Sequence, residues 1–235
     1  MGYEAIGLEQ YPGGIAVIQL NRPDKRNAIS IKMRAEFSEC IEKLKDDPDN
    51  RLLIITGAGA AFSAGFDLSE FKQPERFEEL FATSARYHRQ VWHFPKPTIA
   101  AVNGVAMGGG FDLATLCDIR ICSETAEFGH PEIKFGAPTI YTPLRWIIGM
   151  GLARDLCITG RRINAQEAYR IGLVSEVVAA DKVLPRAIEI GQSILEAPME
   201  SLRFVKKYLV ENSDQGFEDS FHVEHDRAFH EIILK

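Results

Sequence analysis

Apolar residues follow two different periods along the chain, and the two periods predict alternating strands and helices. Residues 15–20, 51–56 and 98–102 are short runs rich in aliphatic side chains, a pattern typical of strands buried on both faces. Between the first two runs a helix is predicted, because apolar residues recur there at helical spacing as Met33, Phe37, Ile41 and Leu44. Strands separated by helices indicate βαβ units and therefore a parallel sheet.

The first residues depart from that alternation. Residues 3–9 and 15–20 are strand-like runs joined by Tyr11-Pro12-Gly13-Gly14. A Pro followed by paired Gly suits a reversing turn. We therefore expect a hairpin at the N-terminus.

Helical spacing dominates the later part of the chain. A helix is predicted for about 74–94 and another from Gly108-Gly109-Gly110, with short strands at 118–122 and 126–129. Beyond Pro143 the pattern is mostly helical, and the predicted helices are 165–171, 181–196, 199–210 and 217–234. The sheet is therefore expected early in the chain, and the sequence shows no internal repeat and no linker.

The composition is that of an ordinary globular protein. The 235 residues are 46% hydrophobic and 26% charged, which excludes disordered, collagen-like and low-complexity classes. Such a chain has material for one large domain or two small ones. Lys and Arg number 27 against 33 Asp and Glu, a net charge of −6, so there is no basic footprint for nucleic acid or anionic lipid.

Signals for export or membrane attachment are also missing. The longest apolar runs fall far below the roughly 18 residues that a membrane span needs, and the first residues match neither an export nor a myristoylation signal. The cysteines at 40, 117, 122 and 157 form no C-x-x-C pair. We expect buried thiols in a reduced, cytoplasmic protein.

Two glycine-bearing turns follow predicted buried strands. Residues 57–62 place Phe62 where a dinucleotide fingerprint needs its third Gly, and residues 104–109 lack the Lys-Ser/Thr of a P-loop. Gly108-Gly109-Gly110 instead offers backbone N–H groups at a helix start, where they can hold a developing oxyanion. Close packing of a helix on a sheet also explains the same three glycines, and taken alone it is the favoured explanation.

Two acids follow these glycines and form a candidate catalytic pair. Asp112 lies in the first turn of the predicted helix, and Glu132 follows the next strands in Phe128-Gly129-His130-Pro131-Glu132. Paired acids work as acid and base when their environments separate their pKa values. The alternatives are a favourable helix-dipole position for Asp112 and simple solvation for Glu132.

Several ordered motifs carry a resemblance to a known family. Segments 21–28 (NRPDKRNA), 61–68 (AFSAGFDL) and 99–113 (IAAVNGVAMGGGFDL) resemble the crotonase (enoyl-CoA hydratase/isomerase) superfamily. Segments 128–132 (FGHPE), 158–168 (ITGRRINAQEA) and 172–174 (GLV) do so as well. The resemblance runs in order from about residue 3 to residue 180. Motifs of this kind are specific for fold and acyl-CoA binding, and much less so for the reaction.

The resemblance implies an α/β fold, a spiral of β-β-α units. Residues 1–180 would form the acyl-CoA-binding core, and residues 181–235 a helical region that builds a homotrimer, often stacked into a hexamer. The implied substrate is an acyl-CoA thioester, with no separate cofactor beyond the coenzyme A that it carries. The implied intermediate is a thioester enolate.

The same resemblance assigns residues to the site. The backbone N–H groups of Phe66 and Gly109 would form the oxyanion hole, and Asp112 and Glu132 fall on the two acid positions of the hydratases, which hold one water against the double bond. The CoA moiety would meet, by position, Lys25, Arg26, Ala28, Ala64, Phe66, Asp67 and Leu68.

This sequence departs from the family pattern at several positions. The hydratases usually carry Glu where Asp112 stands, and residues 135–141 lack the further acid of dienoyl-CoA isomerases. That stretch is also shorter than in relatives, so we expect a differently shaped acyl pocket, lined by Ile140, Tyr141 and Trp146. Ser69 replaces a common Lys, and the chain ends before the basic tail that often covers CoA.

Three functions remain open from the sequence. Hydration of an enoyl-CoA is favoured, double-bond isomerisation with Glu132 alone is the closest alternative, and a catalytically weak CoA-binding scaffold is the third. No metal site is expected: His222, His225 and His230 lack a Cys or acid that completes a ligand set. His130 either tunes Glu132 or serves packing.

Overall fold

The structure, a computed structural model, describes residues 2–211, 216–222 and 226. The strands are β1 (Ile6–Tyr11), β2 (Ile15–Leu20), β3 (Leu52–Gly57), β4 (Ala61–Ser63), β5 (Thr98–Val102), β6 (Val105–Met107), β7 (Ile119–Ser123), β8 (Glu127–Gly129), β9 (Arg162–Asn164) and β10 (Glu176–Val178). The helices are α1 (Ile31–Asp46), α2 (Phe77–Trp92), α3 (Gly109–Thr115), α4 (Thr142–Thr159), α5 (Ala165–Arg170), α6 (Val183–Ile194), α7 (Met199–Glu211) and α8 (Phe217–Phe221).

The larger sheet has the order β1-β2-β3-β5-β7-β10. Strands β2 to β10 pair in parallel, as the alternation of strands and helices predicts. Strand β1 pairs antiparallel with β2, with Tyr11 opposite Ile15, which confirms the predicted N-terminal hairpin.

A second, smaller sheet has the order β4-β6-β8-β9. Each of β3, β5 and β7 is followed within a few residues by a short strand of this second sheet, then by a helix. This strand-strand-helix unit therefore recurs along the chain although no sequence repeat is visible. The backbone path repeats while the side chains that fill it differ.

Apolar side chains fill the space on both faces of the larger sheet. Along β3, Leu53 and Ile55 face the main core with α1 and α3, whereas Leu52 and Ile54 face a second core. Side chains alternate along a strand, so a strand that is covered on both faces must be apolar throughout. This explains the continuous apolar run at 52–55.

Helix α6 covers the second core and begins just after the predicted boundary at residue 180. Its Val183 and Ala187 are buried in that core, and a Cβ on Gly191 would lie 3.2 Å from Ile15. The division into 1–180 and 181–235 stays a prediction, and the helix that follows it packs directly on the sheet.

The C-terminal part is less helical than the sequence predicts. Strand β9 pairs with β8 and strand β10 with β7, so the sheets extend well beyond Pro143. Both are three-residue strands, too short to show a period. The helix predicted for 217–234 is described only over Phe217–Phe221 and in single positions beyond it.

The four cysteines are free and buried, as the sequence predicts. Burial raises the pKa of Cys40 to about 11, and that of Cys117 and Cys122 to about 12. Thiols of this kind are poor nucleophiles. Within the described residues, no helix has both the length and the apolar character needed to cross a membrane.

Candidate active site

The candidate site lies where three neighbouring strands of the smaller sheet end. Ala64 follows β4, Gly108 follows β6, and His130 follows β8, and these strands pair in parallel in that order. The carboxyl ends of parallel strands meet at one edge of a sheet, which is where α/β proteins place ligands. The recurring unit thus collects segments that lie far apart in sequence.

A short backbone bridge sets the orientation of the first segment. Ile29 N–H donates to Gly65 O at 2.8 Å, and Asp67 N–H donates to Ile29 O at 3.2 Å. Because the N–H groups of extended backbone alternate in direction, the Phe66 N–H points away from Ile29. Gly65 allows this path, since its φ is +93° and a Cβ would lie 2.8 Å from Met107 O and 3.5 Å from Gly109 N.

The glycine turn between β6 and α3 forms the second segment. Gly108 has φ +50°, and its N–H donates to Gly129 O at 2.9 Å. A Cβ at Gly108 would lie 3.1 Å from Glu132 Oε2, so this carboxylate sits directly against the turn. At Gly110 a Cβ would lie 2.6 Å from Ser63, which shows that the glycines also serve close packing. The close-packing interpretation of these glycines is therefore supported, and the oxyanion hole stays a prediction.

Asp112, His130 and Glu132 come together beside this turn. One ligand atom from each side chain lies within 4.8 Å of the others. His130 Nδ1 is 2.8 Å from Glu132 Oε1, and His130 Nε2 is 3.7 Å from Asp112 Oδ1. The imidazole is fully buried, at 0% exposure, whereas the Glu132 side chain is 23% exposed and that of Asp112 is 9% exposed.

The pKa of His130 reflects competing influences. Burial acts to lower it, but the charge of Asp112 and the hydrogen bond and charge of Glu132 together raise it above the ordinary value of 6.5. The Phe111 ring packs on the imidazole with centroids 4.8 Å apart. The imidazole is thus held in a dry position between two acids.

The side chain of Phe66 lies among interior groups. Its ring packs on Phe71 and His88 with centroids 6.4 Å and 6.2 Å away, and the Arg34 guanidinium lies 4.9 Å from its centroid. A Cβ on Gly109 would lie 2.7 Å from this ring. The large side chain therefore packs against the start of α3.

Arg34 supports the segment that holds Phe66, and its role was not predicted from the sequence. It is fully buried and donates to Ile29 O and to Thr83 Oγ1, both at 2.9 Å. Its ion pair with Glu70 spans 3.4 Å, and Glu70 in turn accepts from the Ile31 N–H at 2.8 Å. An Arg inside the apolar stripe of α1 is the signal that reveals it.

Tyr87 is a second buried polar neighbour that sequence reasoning missed. It lies on the buried face of α2, and burial together with the charge of Asp112 raises its pKa well above the ordinary value. Its ring packs on His88 with centroids 4.1 Å apart. Polar residues at helical spacing on the apolar face of α2 were the available signal.

Comparison with known proteins relates this arrangement to a family. The profile described as enoyl-CoA hydratase/isomerase matches residues 10–233. The chain belongs to the enoyl-CoA hydratase/isomerase family. The crotonyl-CoA hydratase of Syntrophomonas wolfei is 36% identical over 232 residues, which cover 96% of this chain and 89% of the relative.

Further members of the enoyl-CoA hydratase/isomerase family agree in sequence and in fold. The putative enoyl-CoA hydratase of Thermus thermophilus is 36% identical over 217 residues, 89% of this chain and 85% of the relative. The crystal structure of an enoyl-CoA hydratase from Bacillus anthracis has a TM-score of 0.87 at 30% identity, covering 97% of this chain and 90% of that one. The predicted crotonase-like α/β fold is confirmed.

The segments that the family resemblance assigns to CoA lie side by side. Ala64 N–H donates to Arg26 O at 2.9 Å, and Asn27 Nδ2 donates to Ala61 O at 2.7 Å. Arg26 and Asn27 have positive φ values of 49° and 54°. Exposed positions in the two segments are Lys25, Arg26, Ala64 and Leu68, whereas Ala28 and Phe66 are half-buried.

The Asp67 carboxylate is engaged within the protein. Arg22 lies 2.9 Å from it, and the Ser69 hydroxyl donates to it at 2.6 Å. Partial burial acts to raise its pKa, but Ser69 and Arg22 outweigh burial and lower it. The Asp67 side chain therefore ties Arg22 of the first segment to the second segment, and Ser69 has a local partner.

The predicted acyl-pocket residues lie at the start of α4. Ile140 is buried, and Tyr141 and Trp146 are half-buried against the same main core as Phe66. The Trp146 ring stacks on Trp92 with centroids 5.4 Å apart. Contact of these residues with an acyl chain stays a prediction.

Two groups of side chains contain residue types that bind metals. His222 is exposed, whereas His225 and His230 lie outside the described residues. Asp112, His130 and Glu132 are close enough together, but Nδ1 of His130 is already hydrogen-bonded to Glu132. A histidine whose pKa is raised is a poor ligand, because metals bind the neutral imidazole.

Proposed function

We propose that the protein is an acyl-CoA enzyme that hydrates an enoyl-CoA thioester. The observation that carries the proposal is the position of the Asp112 and Glu132 carboxylates, close together beside a helix start that is formed by glycines. The named hydratases among its relatives support the same reaction.

The thioester oxygen would be bound by backbone N–H groups of Phe66 and Gly109. The Phe66 N–H points away from Ile29, and the missing side chain of Gly65 brings this segment near Gly109 N. Amides fixed in this way stabilise the negative oxygen of the enolate, and one such donor typically contributes about 3 to 4 kcal/mol. Gly109 also lies at the positive end of α3, which favours the anion.

The two acids would then move the protons. The oxygen of water attacks the β-carbon, one of its protons passes to a carboxylate, and a proton is delivered to the α-carbon. Glu132 is the principal acid and base, because its Oε2 faces the glycine turn. Asp112 positions the water or accepts its proton.

The remaining contacts follow from the shape of the substrate. Lys25 and Arg26 are exposed cations at the segment that would meet the CoA phosphates, and Ile140, Tyr141 and Trp146 would enclose the acyl group. No cofactor is required beyond the CoA of the substrate. We propose a homotrimer or a dimer of trimers in a reducing cytoplasm, which fits the buried thiols.

A panel of enoyl-CoA thioesters tests the function. Short, long, dienoyl and cyclic substrates are mixed with the protein, and the absorbance of the conjugated thioester is followed for wild type, Asp112→Asn and Glu132→Gln. Hydration predicts a loss of about 100-fold or more in kcat for each variant. Full activity in both variants contradicts the carboxylate mechanism.

The same panel separates the alternatives. Isomerisation is favoured by the contrast between the largely buried Asp112 and the more open Glu132, and it predicts that only Glu132→Gln loses activity. Tight binding of acyl-CoA without turnover of any substrate indicates the scaffold. Titration calorimetry with a non-reactive acyl-CoA measures that binding.

A further inference from the structure

His130 touches one candidate acid and faces the other from a position that the solvent does not reach. Nδ1 lies 2.8 Å from Glu132 Oε1, and Nε2 lies 3.7 Å from Asp112 Oδ1. We propose that His130 is the positioning residue that joins Asp112 and Glu132 into one charge-coupled unit, an inference that rests on the proposed function of the same site.

The hydrogen-bonding pattern determines where a proton must lie. An ionised carboxylate only accepts, so the contact at 2.8 Å requires Nδ1 of His130 to donate to Glu132. In a neutral imidazole Nε2 would then present a lone pair to the Asp112 oxygen at 3.7 Å. Two lone pairs that face each other in a buried place are unfavourable. A proton therefore also lies between Nε2 of His130 and Oδ1 of Asp112.

The electrostatic surroundings place that proton on the imidazole. The charges that act on His130 are those of Asp112 and Glu132, and both favour the imidazolium over burial. Tyr87 adds a neutral phenol near Asp112, because burial and the Asp112 charge raise its pKa. The charge of Arg34 lowers the pKa of Tyr87, but it does not outweigh burial and the charge of Asp112.

This unit presents a single oxygen of Glu132 to the substrate. His130 holds Oε1, while Oε2 lies against Gly108, 3.1 Å from where a Cβ would stand. A fixed carboxylate oxygen beside the oxyanion amides is the arrangement that proton transfer at the α-carbon requires.

The imidazolium keeps both of its protons while the acids act. During hydration an O–H bond of water breaks as the C–O bond forms at the β-carbon, and the released proton passes to Glu132. Glu132 then delivers this proton to the α-carbon as the C–H bond forms, while His130 holds Oε1 throughout. The proton count of the unit is the same before and after turnover.

Nitrogen NMR of the imidazole tests the protonation state without substrate. Protein labelled with 15N in histidine is recorded across a pH series, and the His130 signal is assigned by its loss in His130→Gln. We expect both ring nitrogens to stay protonated to a higher pH than in an ordinary imidazole, whose pKa is about 6.5, and the pKa to fall in Asp112→Asn. A neutral ring that titrates normally and ignores Asp112→Asn overturns the proposal.

Kinetics test the consequence for the reaction. Gln can donate one hydrogen bond to Glu132 but cannot take up a proton. His130→Gln is therefore expected to lower kcat at least 10-fold, to leave KM within about 2-fold because the substrate-binding segments are untouched, and to change the pH profile. The matched control is His93→Gln, because His93 lies near Glu218, outside the site.

The outcomes separate this proposal from the proposed function. An unaltered kcat and pH profile in a folded His130→Gln variant contradicts the role of His130, whatever the reaction. Failure of wild type to convert any enoyl-CoA contradicts the proposed function, while the NMR experiment still decides the protonation state. If His130→Gln does not fold, the comparison of the His130 imidazole signal between wild type and Asp112→Asn decides the protonation state.

Discussion

Two acids with different side-chain exposure flank one buried histidine. The Asp112 side chain is 9% exposed, whereas that of Glu132 is 23% exposed. In the proposed function the more open carboxylate transfers protons to the ligand, whereas the more buried one acts mainly through its charge. The Asp112 side chain is also one methylene shorter than that of a Glu, which shortens the reach of this acid.

The stability contributed by His130 depends on pH in one direction. Burial lowers its pKa, but Asp112 and Glu132 raise it above 6.5. A group whose pKa is raised on folding stabilises the protein fully below its unfolded pKa and loses this contribution as the pH rises through the folded pKa. The stability advantage of wild type over His130→Gln should therefore shrink as the pH rises above 6.5.

Urea unfolding of both proteins across that pH range measures the difference in free energy of unfolding. Asp112→Asn serves as a comparison, because it removes one of the charges that raise the pKa. An advantage that grows with pH would show that His130 is buried in its neutral form.

Lys25 and Arg26 are expected to act on CoA through their charge. Both are exposed in segment 21–28, one of the two segments that the family resemblance assigns to CoA. The double variant Lys25→Ala/Arg26→Ala should raise KM several-fold with little change in kcat, since it removes binding that is equal in the ground and transition states. The effect should diminish in high salt, because salt screens exposed charges.

Steady-state kinetics at low and high salt measure this effect. Lys182→Ala is the control, because Lys182 is an exposed lysine after the predicted boundary at residue 180. Equal kinetics for the double variant and wild type would remove these residues from the CoA site.

Helix α3 and strand β4 meet so closely that a glycine is required between them. A Cβ on Gly110 would lie 2.6 Å from both Cβ and O of Ser63. Gly110→Ala should therefore destabilise the protein by about 1 to 3 kcal/mol through overpacking and displace the Gly109 amide. Thermal unfolding and kcat are the measurements.

The control for this variant is Gly151→Ala in α4. No atom lies within 4 Å of a Cβ at Gly151, and Ala has the higher helix propensity by about 0.5 to 1 kcal/mol. The two substitutions should therefore shift stability in opposite directions. A stabilised and fully active Gly110→Ala protein would show that close packing of Gly110 on Ser63 does not position the Gly109 amide.

The buried Arg34 of α1 supports the segment that holds Phe66. Arg34 donates to Ile29 O, the same carbonyl that receives the Asp67 N–H. Arg34→Met should destabilise the protein by about 3 kcal/mol, because it leaves Glu70 buried without its cation, and should lower kcat more than it changes KM.

Unfolding and kinetics of Arg34→Met are compared with Arg34→Met/Glu70→Gln. The double variant should recover part of the stability, since the uncompensated charge is gone. If kcat is unchanged in either variant, the Phe66 segment does not depend on Arg34.

Helix α6 of the C-terminal region packs on the larger sheet and covers part of its apolar surface. Val183 and Ala187 of α6 cover the outer face of the larger sheet, where Ile15 and Leu52 lie. A chain of residues 1–180 would expose that apolar face. We expect it to lose cooperative unfolding and to associate, as circular dichroism and light scattering can measure. A monomeric, cooperatively folding fragment would support residue 180 as a true domain boundary.

The proposed assembly is tested on the full chain. Light scattering coupled to size exclusion should give a mass three or six times the 26.3 kDa of one chain. A monomer at micromolar concentration contradicts the proposed trimer.

The sequence by itself determined the family, the parallel sheet, its N-terminal hairpin and the candidate residues of the site. These features depend on local patterns: apolar runs of strand length, helical spacing, and ordered motifs such as the one that ends in Asp112. Strands β9 and β10 escaped prediction, because three residues are too few to show a period and their partners lie far away in the chain.

Only the tertiary structure decided how these residues act on one another. The ends of β4, β6 and β8 meet because their strands pair, which brings Phe66, Gly109 and Glu132 to one edge. His130 became more than a neighbour of Glu132 once folding buried it opposite Asp112, where water no longer weakens their charges. Distance and burial set that interaction, and neither is contained in the spacing of residues along the chain.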